Sequence, residues 1–229
     1  MTINQITKAL YATYLTNYFG FKLKKVHTNE ERKALRLEYS KTLLSKLNIE
    51  IKVINQEKIP QDGQFLLVSN HRSVIDPLIV EIALEKSNLF GNWIAKKELY
   101  NSFFFGTFVR NAGTILVDRE KAQMSGFFND IKKSVQNGDS VFIFPEGTRN
   151  KAKSGVGAFQ GGSQMIAIKN RLNILPMHIK AEANDVLMAS LQSGSEKFVI
   201  EIEAGDIIDP KDKSAKLEEA YKKQFNISE

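Results

Sequence analysis

The stretch Asn70-His71-Arg72-Ser73-Val74-Ile75-Asp76 holds an imidazole and, five residues on, a carboxylate. On one continuous helix, positions five apart lie about 140° apart, so this pair meets only if the chain turns between them. The Asp76 carboxylate would then fix one imidazole nitrogen and leave the other as a general base. Such a base takes the proton of an alcohol while that alcohol attacks a carbonyl or thioester. The competing reading gives His71 and Asp76 only turn and cap roles.

The elements around the pair favour a strand-to-helix turn. Phe65-Leu66-Leu67-Val68, after Gly63, reads as a buried strand. Asp76 at the N-cap and Pro77 at the first helical position open an apolar helix, Leu78 to Leu84. Further strands are expected at 49–54, 93–95, 114–117, 141–144, 174–175 and 198–203. Helices are expected at 98–111, 121–136, 163–169 and 217–225. Alternation of this kind specifies one α/β domain, residues 49–229, with a mostly parallel or mixed sheet flanked by helices. Residues after the carboxyl ends of parallel strands gather on one edge. His71, Lys96 with Lys97, Arg119 and Arg149 each follow a strand, so several cations converge on one base. That combination suits an anionic, phosphorylated acceptor.

The remaining composition narrows the classes. At 229 residues, 42% hydrophobic and 25% charged, the chain can bury a sizeable core. It has no cysteine and only His27, His71 and His178 as imidazoles, so neither a thiolate nor a His-rich metal centre is expected. Its aromatic cluster is phenylalanine on one helix (Phe103, Phe104, Phe105, Phe108), an apolar wall more than stacking platforms for nucleic acid. The net charge of +6 resides in residues 1–48, with nine Lys or Arg against three Glu; the remainder carries 23 of each sign.

Residues 1–48 read as an N-terminal helical pair. Ile3, Ile6, Leu10, Tyr14 and Phe19 recur at helical spacing, and Lys22, Lys24 and Lys25 follow. The uncharged run Ala9–Phe21 has 13 residues, whereas a spanning helix needs about 20. It reads either as an interfacial helix docking on an anionic membrane or as a helix packed on the domain's own core. A second helix, Glu30 to Leu47, carries Leu35, Tyr39, Leu43 and Leu47 on one stripe.

Four blocks in order resemble the glycerolipid acyltransferases of the 1-acylglycerol-3-phosphate acyltransferase type. The stretch Asn70 to Asp76 is similar to that family's NHxSxxD block. Gly113-Thr114-Ile115-Leu116-Val117-Asp118-Arg119 resembles its second block. Phe144-Pro145-Glu146-Gly147-Thr148-Arg149 matches its FPEGTR block without a substitution, and Ile174-Leu175-Pro176-Met177 resembles the fourth. Met177-His178 departs from the small β-branched residues usual there. Many members also begin with a membrane-spanning helix, where this chain has an amphipathic segment.

The resemblance implies that His71 deprotonates the acceptor hydroxyl, oriented by Asp76. It implies a phosphate site at Arg149, supported by Glu146, Gly147 and Thr148, with Lys96 and Arg119 as further ligands. The implied donor is acyl-CoA or acyl carrier protein, a co-substrate; no cofactor and no metal is called for. The implied acceptor is a lysophospholipid, lysophosphatidic acid giving phosphatidic acid, met at the cytoplasmic face of the membrane by a peripheral or monotopic enzyme. Alternatives are another acceptor (glycerol 3-phosphate, a lyso-ornithine lipid or another lysophospholipid) and a non-catalytic membrane-binding relative. Metal-dependent phosphoester hydrolysis would need more ligands than His71 and Asp76.

Overall fold

Strands that are apolar at nearly every position must be covered on both faces, and the helices supply that cover. The fold is described from a computed structural model for residues 2–118, 124–152, 155–212 and 214–227. Among these residues, seven strands form one sheet: β1 (Ile49–Ile54), β2 (Phe65–Ser69), β3 (Gly91–Lys96), β4 (Thr114–Val117), β5 (Ser140–Ile143), β6 (Asn173–Ile179) and β7 (Phe198–Ala204). Their order is β1-β7-β6-β2-β5-β3-β4. Every neighbouring pair is parallel except β6–β7, so the sheet is mixed.

The helices are α1 (Ile3–Leu23), α2 (Asn29–Lys46), α3 (Asp76–Ala83), α4 (Gly106–Asn111), α5 (Ser125–Gln136), α6 (Gly162–Asn170), α7 (Ala183–Gln192) and α8 (Leu217–Gln224). Alternation along β2 shows how the layers divide. Leu67 packs with Leu15, Phe19, Leu43, Ile79 and Leu187, from α1, α2, α3 and α7. Its neighbours Leu66 and Val68 pack with Ile131, Ile166 and Tyr221, from α5, α6 and α8.

The N-terminal pair is part of this core. Capping boxes begin both helices: Thr2 with Gln5 for α1, and Thr28 with Glu31 for α2. The expected boundary at 48 falls at the α2–β1 junction, where Asn48 has φ 53°, yet residues on both sides share one cluster. One face of α1 packs on the domain's own core, and the opposite face is exposed. Leu15, Phe19 and Leu23 are buried, while Ile3, Ile6, Leu10, Tyr14, Tyr18 and Phe21 are exposed. Among the described residues no helix is long and apolar enough to cross a membrane.

Several elements differ from expectation. Asp76 is not the N-cap: Ile75 is, and Asp76 is the first helical residue, with its side chain turned back towards residues 71–73. The expected helix at 98–111 is a 3-10 turn, Lys97–Asn101, followed by α4. Ser102 is extended between them, and a run of three phenylalanines cannot all face one core; Phe103 is 82% exposed. The strand expected at 174–175 continues through Pro176 to Ile179. Proline's missing donor falls between the isolated Ile174–Ile208 bridge and the β7 ladder that begins at Met177. Helix α7 has no clear mark in the sequence, because Asn184, Asp185 and Ser190 interrupt its apolar spacing. It is held by contacts remote in sequence, with Lys8 Nζ donating to Ser190 O at 2.7 Å and Ser193 O at 3.0 Å. The expected helix start at 121 lies outside the described residues, as does Arg119.

Candidate active site

Strand β2 delivers the pair and a clamp fixes its exit. Asn70 is buried, donates from Nδ2 to Ile179 O (3.0 Å) and accepts from Ile179 N at Oδ1 (2.8 Å), tying the end of β2 to the end of β6. The chain then turns so that Asp76 Oδ2 accepts three hydrogen bonds. They come from Arg72 N (2.5 Å), Ser73 N (2.7 Å) and His71 Nδ1 (2.8 Å). Asp76 is fully buried, whereas the His71 side chain is 20% exposed. With a carboxylate accepting at Nδ1, the neutral imidazole carries its proton there and presents a lone pair at Nε2. Nε2 has no hydrogen-bond partner among the described residues.

The loop after β5 is laced to this turn. Glu146 Oε1 accepts from His71 N (2.7 Å) and Oε2 from Gly157 N (2.6 Å), while Asn150 N donates to His71 O (2.7 Å). Both oxygens of Glu146 are therefore occupied by backbone donors and hold the loop against the turn. Burial pushes its carboxyl above the ordinary range, against the lowering pull of those donors and of His71 and Arg72. Two glycines make the lacing possible. Gly147 adopts φ 68°, and a Cβ on Gly157 would stand 2.6 Å from Glu146 Oε2.

Phe144, the first residue of that loop, stacks on the His71 ring with centroids 4.2 Å apart and planes 9° apart. The imidazole is thus held by its Nδ1 edge and against one aromatic ring. Buried Arg72 pairs with Glu182 (3.0 Å) and donates to Ala152 O and Gly155 O, pulling the same loop against the turn. Arg72 and Phe144 lie inside the motif blocks, but their types alone did not disclose these roles.

Lys96 ends β3, and Thr148 and Arg149 lie in the loop after β5. Strands β2, β3, β4 and β5 are mutually parallel, so their carboxyl ends share one sheet edge. All three side chains are exposed and have no hydrogen-bond or ion-pair partner among the described residues. Lys97, by contrast, pairs with Asp118 at 3.3 Å. Among the described residues no group of three or more His, Asp or Glu side chains could hold a metal ion.

His178, near the end of β6, packs against Tyr221 and Phe225. Its Nδ1 is 3.2 Å from the hydroxyl of fully buried Tyr221, which donates to Met177 O (2.7 Å) and accepts from Asn70 N (3.3 Å). Burial, then Arg72 and Lys180, push the His178 pKa down to about 4. Burial raises that of Tyr221 well above its usual value.

The His71–Asp76 pair thus stands at the carboxyl edge of a mixed α/β sheet, with cations on the same edge that have no partner among the described residues. Residues 50–180 match the family described as Acyltransferase, and the chain belongs to that family. Among its curated relatives is the 1-acyl-sn-glycerol-3-phosphate acyltransferase of Helicobacter pylori, 39% identical over 127 residues, 54% of this chain and 52% of that protein. The protein of the same description from Streptococcus pneumoniae is 30% identical over 136 residues, 59% of this chain and 49% of that one. The matches thus span about half the length of these relatives. In fold, the chain is similar to the 1-acyl-sn-glycerophosphate (LPA) acyltransferase PlsC of Thermotoga maritima. The TM-score is 0.68 at 20% identity, over 97% of this chain and 93% of the other.

Proposed function

We propose that this acyltransferase moves a fatty acyl group from a thioester, acyl-CoA or acyl carrier protein, to the free hydroxyl of a lysophospholipid. The acceptor we infer is 1-acylglycerol-3-phosphate, giving phosphatidic acid. The observation that carries the reading is the 2.8 Å His71–Asp76 bond, which leaves Nε2 open beside a loop bearing Arg149, a side chain with no partner among the described residues. The descriptions of the curated relatives support the acceptor.

Nε2 takes the hydroxyl proton as the oxygen attacks the thioester carbonyl, and Asp76 stabilises the imidazolium that forms. The tetrahedral intermediate collapses, the carbon–sulfur bond breaks, and the leaving thiolate takes the proton from Nε2. Ester and free thiol are the products, and His71 returns to its starting state. Arg149 grips the acceptor phosphate through two guanidinium donors, with Lys96 as a second cation. Arg119 belongs to the same proposal on sequence grounds alone.

The acceptor is lipid-borne, and α1 offers the matching surface. Its exposed face, Ile3, Ile6, Leu10, Tyr14, Tyr18 and Phe21, continues to Phe103 and Phe104 beside α4 and is followed by Lys24 and Lys25. We take its occupant to be an anionic membrane, bound peripherally by buried aromatics and by lysines worth about 1 kcal/mol each.

The test incubates purified protein with acyl-CoA or acyl carrier protein thioester and a panel of lyso-acceptors, identifying products by mass. Phosphatidic acid formed with wild-type protein and lost in His71→Ala is the expected result. A different ester product would reassign the acceptor, and no ester with any member of the panel would overturn the reading.

A further inference from the structure

The stack on His71 continues one ring further. Trp93, the only tryptophan in the chain, lies on β3 and stacks on Phe144 with centroids 4.8 Å apart and planes 22° apart. It meets Phe142 edge-on at 5.3 Å. Three rings from three strand regions therefore run in series: indole, phenyl, imidazole.

The indole is not simply packed. Its Nε1 donates to Glu81 Oε1 of α3 at 2.9 Å. That carboxylate is buried and paired with buried Arg36 of α2, whose Nε donates at 3.0 Å. Arg36 also donates to Gly91 O (2.8 Å), at the start of the strand that bears Trp93. A hydrogen bond to a charged acceptor fixes the rotation of the indole, which packing alone would leave looser. Buried ion pairs of this kind commonly add little net stability over apolar side chains, so stability alone gives weak reason for this arrangement.

The consequence falls on His71. Its bond to Asp76 locates Nδ1, but one hydrogen bond leaves the ring free to tilt about that point. The Phe144 face sets the plane, and the plane of Phe144 is set in turn by Trp93. We propose that Trp93 is a positioning residue for His71, acting through Phe144 and held in register by Glu81 and Arg36. The proposal rests on the reading of His71 as general base. It makes the N-terminal helix α2 part of the support of the site.

The experiment compares Trp93→Leu and Trp93→Phe with wild type in acyl transfer, thermal unfolding and 15N imidazole NMR. With three histidines in the chain, His71 is assignable through His71→Ala. Trp93→Leu should lower kcat about tenfold or more with acceptor KM nearly unchanged, because a misplaced base costs rate and not affinity. Trp93→Phe, which keeps a ring but loses the donor to Glu81, should recover most of that loss. In wild type His71 should show one tautomer, protonated at Nδ1. In Trp93→Leu its signals should broaden or report mixed tautomers, with those of His27 unchanged.

A Trp93→Leu protein with wild-type kcat, or with a lower melting temperature but the wild-type His71 spectrum, would overturn the positioning role. Turnover retained by His71→Ala would instead overturn the base assignment, so the two failures have different signatures.

Discussion

At the turn that holds His71, Asp76 Oδ2, Glu146 and Arg72 are engaged within the chain, whereas the exposed side chains of Arg149, Thr148 and Lys96 on the same sheet edge have no partner among the described residues. Asp76 Oδ2 accepts three hydrogen bonds, Glu146 accepts two from backbone, and Arg72 holds two carbonyls and a carboxylate. On the proposed function, the difference separates two tasks. A base must stand in reacting geometry when the acceptor binds, and folding has already borne the cost of ordering it. Cations that receive a phosphate are better left uncommitted, because any internal partner would have to be displaced. Rate should therefore reside in the buried half, and acceptor selectivity in the exposed half.

The largest effect should come from the buried half. His71→Ala should lower kcat by about 10²–10⁴, and far-ultraviolet circular dichroism and the melting curve should stay close to wild type. A variant keeping more than about a tenth of wild-type turnover would erase the contrast, since the laced turn would then have no chemical purpose.

His178 tests whether the buried half depends on the support behind it. Its folded pKa of about 4 lies below the ordinary 6.5, so between those values the unfolded chain binds the extra proton. Stability from this group is complete above pH 6.5 and falls as pH drops towards 4, by about 3 kcal/mol in all. Glu146, raised by burial, has the opposite sign, so the measurement is the difference between wild type and His178→Asn. That difference in urea-unfolding free energy should be flat above pH 6.5 and shift against wild type below it. A flat difference down to pH 4 would show that His178 titrates as if solvated.

For the exposed half, Arg149→Lys keeps the charge but not the paired donors. About a tenfold loss in kcat/KM is expected on a phosphorylated acceptor, mainly through KM, with little change on an acceptor lacking phosphate. Equal losses on both acceptors would make Arg149 structural and move selectivity elsewhere.

The smallest effect concerns α1. Deleting residues 1–26 would strip Leu15, Phe19 and Leu23 from the core, so docking is better tested on the exposed face. Leu10→Ser with Tyr14→Ser should leave the melting temperature within a few degrees of wild type. It should weaken sedimentation with anionic vesicles, most visibly at high salt, where lysine contacts are screened. Wild-type protein remaining in the supernatant with such vesicles at low salt would refute membrane docking by this face.

Much of the fold was legible because its signals are local. Apolar runs such as Leu66-Leu67-Val68 and Val141-Phe142-Ile143, capping residues and Pro77 act over a few residues, and they located most strands and helices. Their places directly after strands likewise put His71, Lys96 and Arg149 on one edge of a parallel sheet. Local signals failed where long-range packing won. Strand β6 passes through Pro176 because the β7 ladder is interrupted there, and α7 is held by Lys8, 182 residues from Ser190. The antiparallel β6–β7 pairing has no local marker.

Residue types and spacing by themselves determined that an imidazole, a carboxylate within reach of it and a set of cations follow the strands, because chemistry follows from side-chain identity. Only the tertiary structure decided how they are used. It turned Asp76 back from the helix start to collect His71, gave Glu146 to backbone donors, and left Arg149 without a partner among the described residues. It also set Phe144 and Trp93 in series on the imidazole. Each of these depends on groups far apart in sequence meeting within a few ångströms, and their geometry is set by packing of the whole sheet rather than by any segment of it.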